Sequence, residues 1–199
     1  MKKLLGFSIF LVFVLIASLT AEAKVTLPAI FSDNMVLQQN TQVNVWGKAA
    51  PGEKVTVKAS WLDKAVTAKA AANGKWTVKL KTPKALTNQS VTVSGENEIT
   101  INNVLIGEVW LCTGQSNMEF PVSRHPDVKW NTGMLNEVEE LKDADYPEIR
   151  LFHVKHQLAH EGELDDCEGE WLVCNPKNLY DFSAVGFVFG RKLYKELKM

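Results

Sequence analysis

Val104-Leu105-Ile106-Gly107-Glu108-Val109-Trp110-Leu111-Cys112-Thr113-Gly114-Gln115-Ser116-Asn117-Met118 is the stretch on which the reading of this chain turns. From Val104 to Cys112 it is apolar, broken only by Gly107-Glu108. A continuous apolar run without alternation reads as a strand buried on both faces, of the sort found in parallel sheets. The polar turn Thr113 to Met118 follows at once. A serine at the carboxyl edge of such a strand faces the crevice where α/β folds bind ligands. Gly114 permits a tight turn. Backbone amides after Ser116 would then lie at a helix start or nest, where they can stabilise an oxyanion. This has the logic of a strand–turn–helix nucleophile but not the letters of G-x-S-x-G. The residue types alone leave two readings open, an ordinary turn and a catalytic serine.

Downstream, Met134, Val138 and Leu141 fall at i, i+4 and i+7, which predicts a helix over 131–142, stopped by Asp145-Tyr146-Pro147. Ile149 to Val154 reads as a strand. Residues 161–180 are acidic and Asn-containing and read as a loop. Ser183 is a candidate N-cap. After it, Val185, Phe189, Leu193 and Leu197 recur every four residues, predicting an amphipathic helix. Gly186 and Gly190 on one side would allow close approach to a sheet. Strand, helix, strand, helix implies the start of a parallel α/β layer over 104–199.

Upstream the period is two. Val43 with Val45, Val55 with Val57 and Ala59, Trp76 with Val78 and Leu80, Val91 with Val93, and Ile99 with Ile101 each place apolar side chains on one strand face. Pro51-Gly52, Asn73-Gly74, Pro83 and Gly95-Glu96-Asn97 supply turns, and Asn73-Gly74 is a hairpin signal. Residues 24–103 therefore predict a small antiparallel β-sandwich. The Ala-rich stretch Ala65 to Ala72 favours a helix by propensity but a strand by context.

The first residues have a different purpose. Lys2 and Lys3 precede an apolar run from Leu4 to Leu19, and Ala21-Glu22-Ala23 has small-x-small spacing, so residues 1–23 read as a removable signal peptide. The run is shorter than the roughly 20 residues of a membrane-spanning helix. Export to a periplasmic or extracellular space is the expectation, with no membrane association after cleavage. The chain has 199 residues, with 22 Lys+Arg against 23 Asp+Glu and a net charge of −1. That balance gives no electrostatic basis for a nucleic-acid partner. Export permits disulfides, but Cys112, Cys167 and Cys174 are odd in number, so at least one thiol lacks a partner within the chain. Cys112 reads as a small hydrophobe in a strand, and the other two are left open.

The stretch Val109 to Met118 resembles the nucleophile block of the sialate O-acetylesterase family, SGNH-type hydrolases whose serine lies in a GQSN motif. Other segments resemble the same family in the same order. They are Phe31-Ser32-Asp33-Asn34-Met35-Val36-Leu37-Gln38, Val45-Trp46-Gly47, Pro51-Gly52-Glu53, Asn73-Gly74-Lys75-Trp76 and Phe182 to Arg191. The resemblance implies a β-sandwich followed by an SGNH, flavodoxin-like α/β domain, present here only in its opening part. It implies an esterase in which Ser116 attacks the acetyl carbonyl of an O-acetylated sugar such as 9-O-acetylated sialic acid. The Ser116 amide would contribute to the oxyanion hole, and no cofactor or metal would be used. The family's further oxyanion donors and its Asp/His block have no match in this chain. Ser116 alone is therefore carried over, no base is named, and the chain by itself is expected to be inactive or very weak.

Other residue groups offer weaker candidates. His153, His156 and His160 have H-x2-H-x3-H spacing, but a strand would send His153 and His156 to opposite faces, so solvated histidines are the better reading. The acidic residues Glu161, Glu163, Asp165, Asp166, Glu168 and Glu170 lack an EF-hand register and read as a solvated loop. Of the tryptophans able to stack on sugars, Trp46 and Trp76 read as core, leaving Trp61 as the candidate. The rival function is a non-catalytic carbohydrate-binding module built on the sandwich.

Overall fold

The computed structural model describes residues 24–127, 133–160 and 162–199. The signal-peptide reading of 1–23 lies outside the described residues, as do the first residues of the helix expected over 131–142.

The period-two segments form strands at the expected places. In order they are β1 (Val36–Gln38), β2 (Gln42–Lys48), β3 (Lys54–Ala59), β4 (Val66–Lys69), β5 (Lys75–Lys81), β6 (Leu86–Ser94) and β7 (Glu98–Gly107). One strongly curled five-stranded sheet runs β1-β7-β6-β3-β4, and β2 pairs with β5 in a second, two-stranded sheet. Both sheets bury their apolar faces in one core. Val45, Trp76, Val78 and Leu80 of the small sheet share it with Val55, Val57, Val91, Val93 and Ile101 of the large one. Full burial of each such Val or Leu stabilises by roughly 1.5–3 kcal/mol before chain entropy is counted.

Two features depart from an antiparallel sandwich. The large sheet is mixed, because β1 lies parallel to β7 with Val36 opposite Leu105 and Gln38 opposite Gly107. The Asn73-Gly74 turn is present, with Gly74 at φ +77°, but it does not join a paired hairpin. Strand β4 goes to β3 in the large sheet and β5 to β2 in the small one. The turn therefore carries the chain from one sheet to the other. Within Ala65 to Ala72, Val66–Lys69 form strand β4, their helix propensity outweighed by the ladder to β3.

The decisive apolar run is half strand. Val104, Leu105 and Ile106 are consecutively buried, covered on both sides by parallel β1 and antiparallel β6. Unbroken hydrophobicity with a parallel neighbour is thus correct as far as Gly107. This strand, however, belongs to the β-sheet already described. From Glu108 to Gln115 the chain is irregular, and Trp110 and Leu111 are 57% and 87% exposed. No strand pairs with Val109 to Cys112 among the described residues, and an apolar segment without a ladder partner has no reason to stay extended.

The remainder forms a second, smaller core. Its elements are α1 (Ser116–Glu119), α2 (Glu137–Lys142), β8 (Tyr146–Phe152), β9 (Trp171–Cys174), α3 (Pro176–Leu179) and α4 (Ala184–Leu197). Val122, Ala144, Leu151, Cys174, Leu179 and Phe187 are buried together. The parallel α/β layer expected over 104–199 is not formed among the described residues. Strands β8 and β9 pair antiparallel, and no parallel strand joins them among the described residues. Strand β9 and helix α3 lie inside the segment expected to be loop. Asn175 caps α3 by accepting the Asn178 amide at 2.9 Å, with Pro176 in its first turn.

Helix α4 starts where expected, Ser183 Oγ accepting the Gly186 amide at 3.1 Å. Its buried face is not the expected one. Ala184 and Phe187 face the core, while Val185, Phe189 and Leu197 are exposed. Nor does either glycine approach a sheet. A Cβ at Gly190 would meet open space, and one at Gly186 only Phe182 and Ser183. Opposite Phe187, Glu140 of α2 forms an ion pair with Arg191, whose guanidinium also lies 4.8 Å from the Phe187 ring centroid. Among the described residues no helix is long and apolar enough to cross a membrane.

Candidate functional site

The site is built where β7 leaves the large sheet, and the opening segment holds that exit. Asp33 accepts the Asn102 amide at 2.7 Å, and Asn34, at φ +67°, accepts from Asn103 Nδ2 at 2.7 Å. Asparagine tolerates this left-handed backbone better than most side chains do. Met35, fully buried, carries the chain into β1. At the end of β1, Gln38 Oε1 accepts the Val109 amide at 2.8 Å, and Gln39 Nε2 donates to Glu108 at 2.8 Å. The two motifs are thus one structural unit.

Beyond Val109 the chain leans on α4, where the Trp110 and Phe189 rings meet edge-on at 5.3 Å. Gly114 follows. A Cβ there would lie 3.0 Å from Met118 Cβ, so the turn is tight because position 114 has no side chain. Helix α1 begins at Ser116. Its first turn closes through Met118 N and Glu119 N, which donate to Gln115 O at 2.9 and 3.1 Å. The Ser116 and Asn117 amides make no hydrogen bond among the described residues, as the first turn of a helix leaves its leading N–H groups free. Ser116 is exposed, and its hydroxyl has no partner there either.

Helix α1 is held from behind. Ser183 Oγ, the cap of α4, lies 3.4 Å from Met118 Sδ, and the Ala184 amide donates to Phe120 O at 2.8 Å. The serine turn therefore rests on the N-terminus of the longest helix of the described residues. Exposed apolar side chains stand on the segment before that turn, Val109, Trp110 and Leu111, and on α4, Val185, Val188 and Phe189, with Trp110 and Phe189 in contact.

The histidines are placed separately. His125 Nε2 is 2.8 Å from Asp181 Oδ1 and its ring meets Tyr180 edge-on. His153 packs against Phe182. His156 lies 3.7 Å from Glu119, an exposed pair three residues past Ser116. Among the described residues no histidine is hydrogen-bonded to Ser116, and no three metal-ligating side chains converge. All three cysteines are free thiols, with Cys112 exposed and Cys174 buried. Burial pushes the Cys174 thiol up to about 11, with Asp145 adding to the rise, so it stays protonated and inert. Cys112 sits in exposed irregular chain, not in the strand expected for it.

The tryptophans reverse their expected order. Trp76 is core as expected. Trp61 packs against the core and ties its indole N–H to Lys81 O at 3.0 Å. Trp46 has the opposite parity to Val43 and Val45, so β2 turns it outward, 40% exposed. Its parity was legible in the sequence.

No protein-family model matches the chain. Comparison with curated proteins finds sialate O-acetylesterases. The Mus musculus enzyme is 31% identical over 190 residues, covering 85% of this chain and 33% of its own length. The Homo sapiens enzyme is 29% identical over 186 residues, covering 84% of this chain and 34% of its own length. Among solved structures, a carbohydrate acetylesterase from Xanthomonas citri superposes with a TM-score of 0.77 and 30% identity, over 88% of this chain and 38% of that one. The chain spans about a third of the length of the curated relatives it matches.

Proposed function

We propose, for a chain homologous to sialate O-acetylesterases over about a third of their length, that it carries the nucleophile of an exported serine esterase acting on O-acetylated glycans. The nucleophile is Ser116. The observation that carries this reading is the placement of that serine: exposed, first in α1, with its own amide and that of Asn117 unengaged among the described residues. Ser116 Oγ attacks the acetyl carbonyl carbon while a base takes its proton. The carbonyl oxygen becomes an oxyanion facing the free amides, and the sugar oxygen leaves protonated. Water then attacks the acetyl-serine, releasing acetate and restoring the hydroxyl. The SGNH-type parallel sheet belongs to this proposal, with the exposed apolar side chains of 109–111 and α4 as the face against which it would be built.

No base is assigned within this chain. Purified residues 24–199 are expected to turn over 4-nitrophenyl acetate no faster than their Ser116→Ala variant. A clear Ser116-dependent rate from them would show that a base lies inside the chain after all. The second reading, a carbohydrate-binding module, is favoured by the outward-facing Trp46.

A further inference from the structure

A cleft of about 520 Å³ opens between the β-domain and the acidic loop. Its lining includes Ile30, Trp46 and Leu164 among apolar groups, and Glu163, Asp165 and Asp166 among carboxylates. Trp46 presents its exposed indole from the outer face of β2, and the Phe31 ring stands at 82° to it with centroids 4.6 Å apart. That contact fixes the indole plane. The opposite wall is pinned as well. Asp165 bridges Lys75 at 2.7 Å and Lys48 at 3.2 Å. Asp166 accepts the Ala29 amide at 3.0 Å. The two irregular segments of the wall are joined where Lys155 N donates to Glu168 O at 2.9 Å and Gln157 Nε2 to Glu168 Oε1 at 3.0 Å. The cleft is therefore preformed.

We infer that this cleft is a glycan subsite for an uncharged pyranose chain, with one sugar ring stacked on Trp46 and a hydroxyl donating to the free carboxylate of Glu163 on the rim. A flat exposed indole offers the apolar face a pyranose ring needs, and carboxylates are acceptors suited to hydroxyl donors. The charge decides between glycans. Lys48 and Lys75 offset Asp165 and Lys155 faces Glu168 at 3.8 Å, which leaves as uncompensated negative charge Glu163, exposed and without a counter-ion among the described residues, and Asp166, which accepts the Ala29 and Cys167 amides. A carboxylate-bearing sugar such as sialic acid meets like charge there, and a neutral chain does not. The wall also connects to the nucleophile turn. Lys155 and Gln157 line the cleft, and His156 between them reaches Glu119 of α1. The segment that lines the cleft thus also touches α1, the helix that begins at Ser116. The glycan class rests on the esterase reading; the subsite itself does not need the chemistry.

The test uses the full chain with Ser116→Ala, so that binding is read without turnover. The ligands are xylohexaose, a neutral chain, and 3′-sialyllactose, an anionic one. The readout is the Trp46 indole N–H resonance in a ¹H–¹⁵N titration. Xylohexaose is expected to shift that resonance saturably and 3′-sialyllactose to leave it in place. Trp46→Ala should weaken xylohexaose binding by about tenfold or more. Glu163→Lys, at a position outside any core or hydrogen bond, should leave the fold intact and allow 3′-sialyllactose to shift the Trp46 signal. An unmoved Trp46 signal with xylohexaose, or equal shifts from both glycans in the parent chain, overturns the inference. If xylohexaose binds at Trp46 while no Ser116-dependent acetate release is found at the relatives' full length, the subsite stands and the esterase reading falls.

Discussion

Gln38 Oε1 accepts the backbone amide of Val109 at 2.8 Å, joining the end of β1 to the segment that leads to Ser116. The two residues are 71 positions apart, and the bond forms only because β1 lies parallel to β7. Gln38 also reaches Glu108 with its amide nitrogen, at 3.3 Å. One side chain thus fixes where the chain leaves the sheet.

Gln38→Ala removes both contacts. The cost is expected at about 1–2 kcal/mol, the range for a lost side-chain hydrogen bond together with a backbone donor left short of its partner. Hydrogen exchange at the Val109 amide should accelerate more than at Val91 or Val93 in the core. Uniform acceleration across both would mean that Gln38 stabilises the β-domain generally and does not position the exit.

The Glu140–Arg191 pair fixes α2 to α4. The Arg191 guanidinium, as a hydrogen-bond donor and then as a charge, holds the Glu140 carboxyl below its ordinary range against the opposing effect of burial. A lowered folded-state value contributes stability above the unfolded carboxylate pKa, and that stability is lost as pH falls through the folded value. Glu140→Gln should therefore cost about 1–3 kcal/mol at neutral pH. The gap to the parent chain should narrow below pH 4 in denaturant melts. A gap independent of pH would assign the effect to shape and not to charge.

Alkylation separates the thiols. With iodoacetamide under native conditions Cys112, exposed, should react first, and Cys174, buried and protonated, only after unfolding. Peptide mass mapping over time reads the order. Early labelling of Cys174 would mean that the second core opens readily.

Ser183 caps α4 and also touches Met118. Ser183→Ala should cost about 1 kcal/mol through the lost cap. Helical circular dichroism and a thermal melt give the measurement, with an unchanged melting temperature as the contrary result.

Much of the β-domain was legible because alternation is a direct record of which strand face is buried. Val55, Val57, Val91 and Val93 could hardly have been placed otherwise. The run Val104 to Cys112 was harder, since hydrophobicity records what a segment would bury and not which neighbour is there to cover it. Its first half found β1 and β6, and its second half found no strand. Strand β9 was hidden by its surroundings, four residues set between acidic loop and the Asn175-Pro176 stop, although Trp171-Leu172-Val173-Cys174 is itself a β-favouring run. Helix α4 offered two possible apolar rows. The row chosen by regular spacing was Val185, Phe189, Leu193 and Leu197. The row the core uses, Ala184, Phe187, Arg191 and Tyr194, contains polar ends that reach Glu140 and Glu148. Ser116 is exposed and opens α1, separated from the end of β7 by the irregular segment 108–115 and not set directly after a strand, and periodicity carries no information about which base would meet it.

Ser116 is proposed as the acetyl-accepting nucleophile. The direct measurement is acetate release from an acetylated glycan by a protein of the relatives' full length that carries this chain, compared with its Ser116→Ala variant. Loss of turnover by about a thousandfold or more is predicted, with folding unchanged, as for removal of a nucleophile that acts with its base as a unit. Equal turnover by the two proteins would contradict the assignment outright.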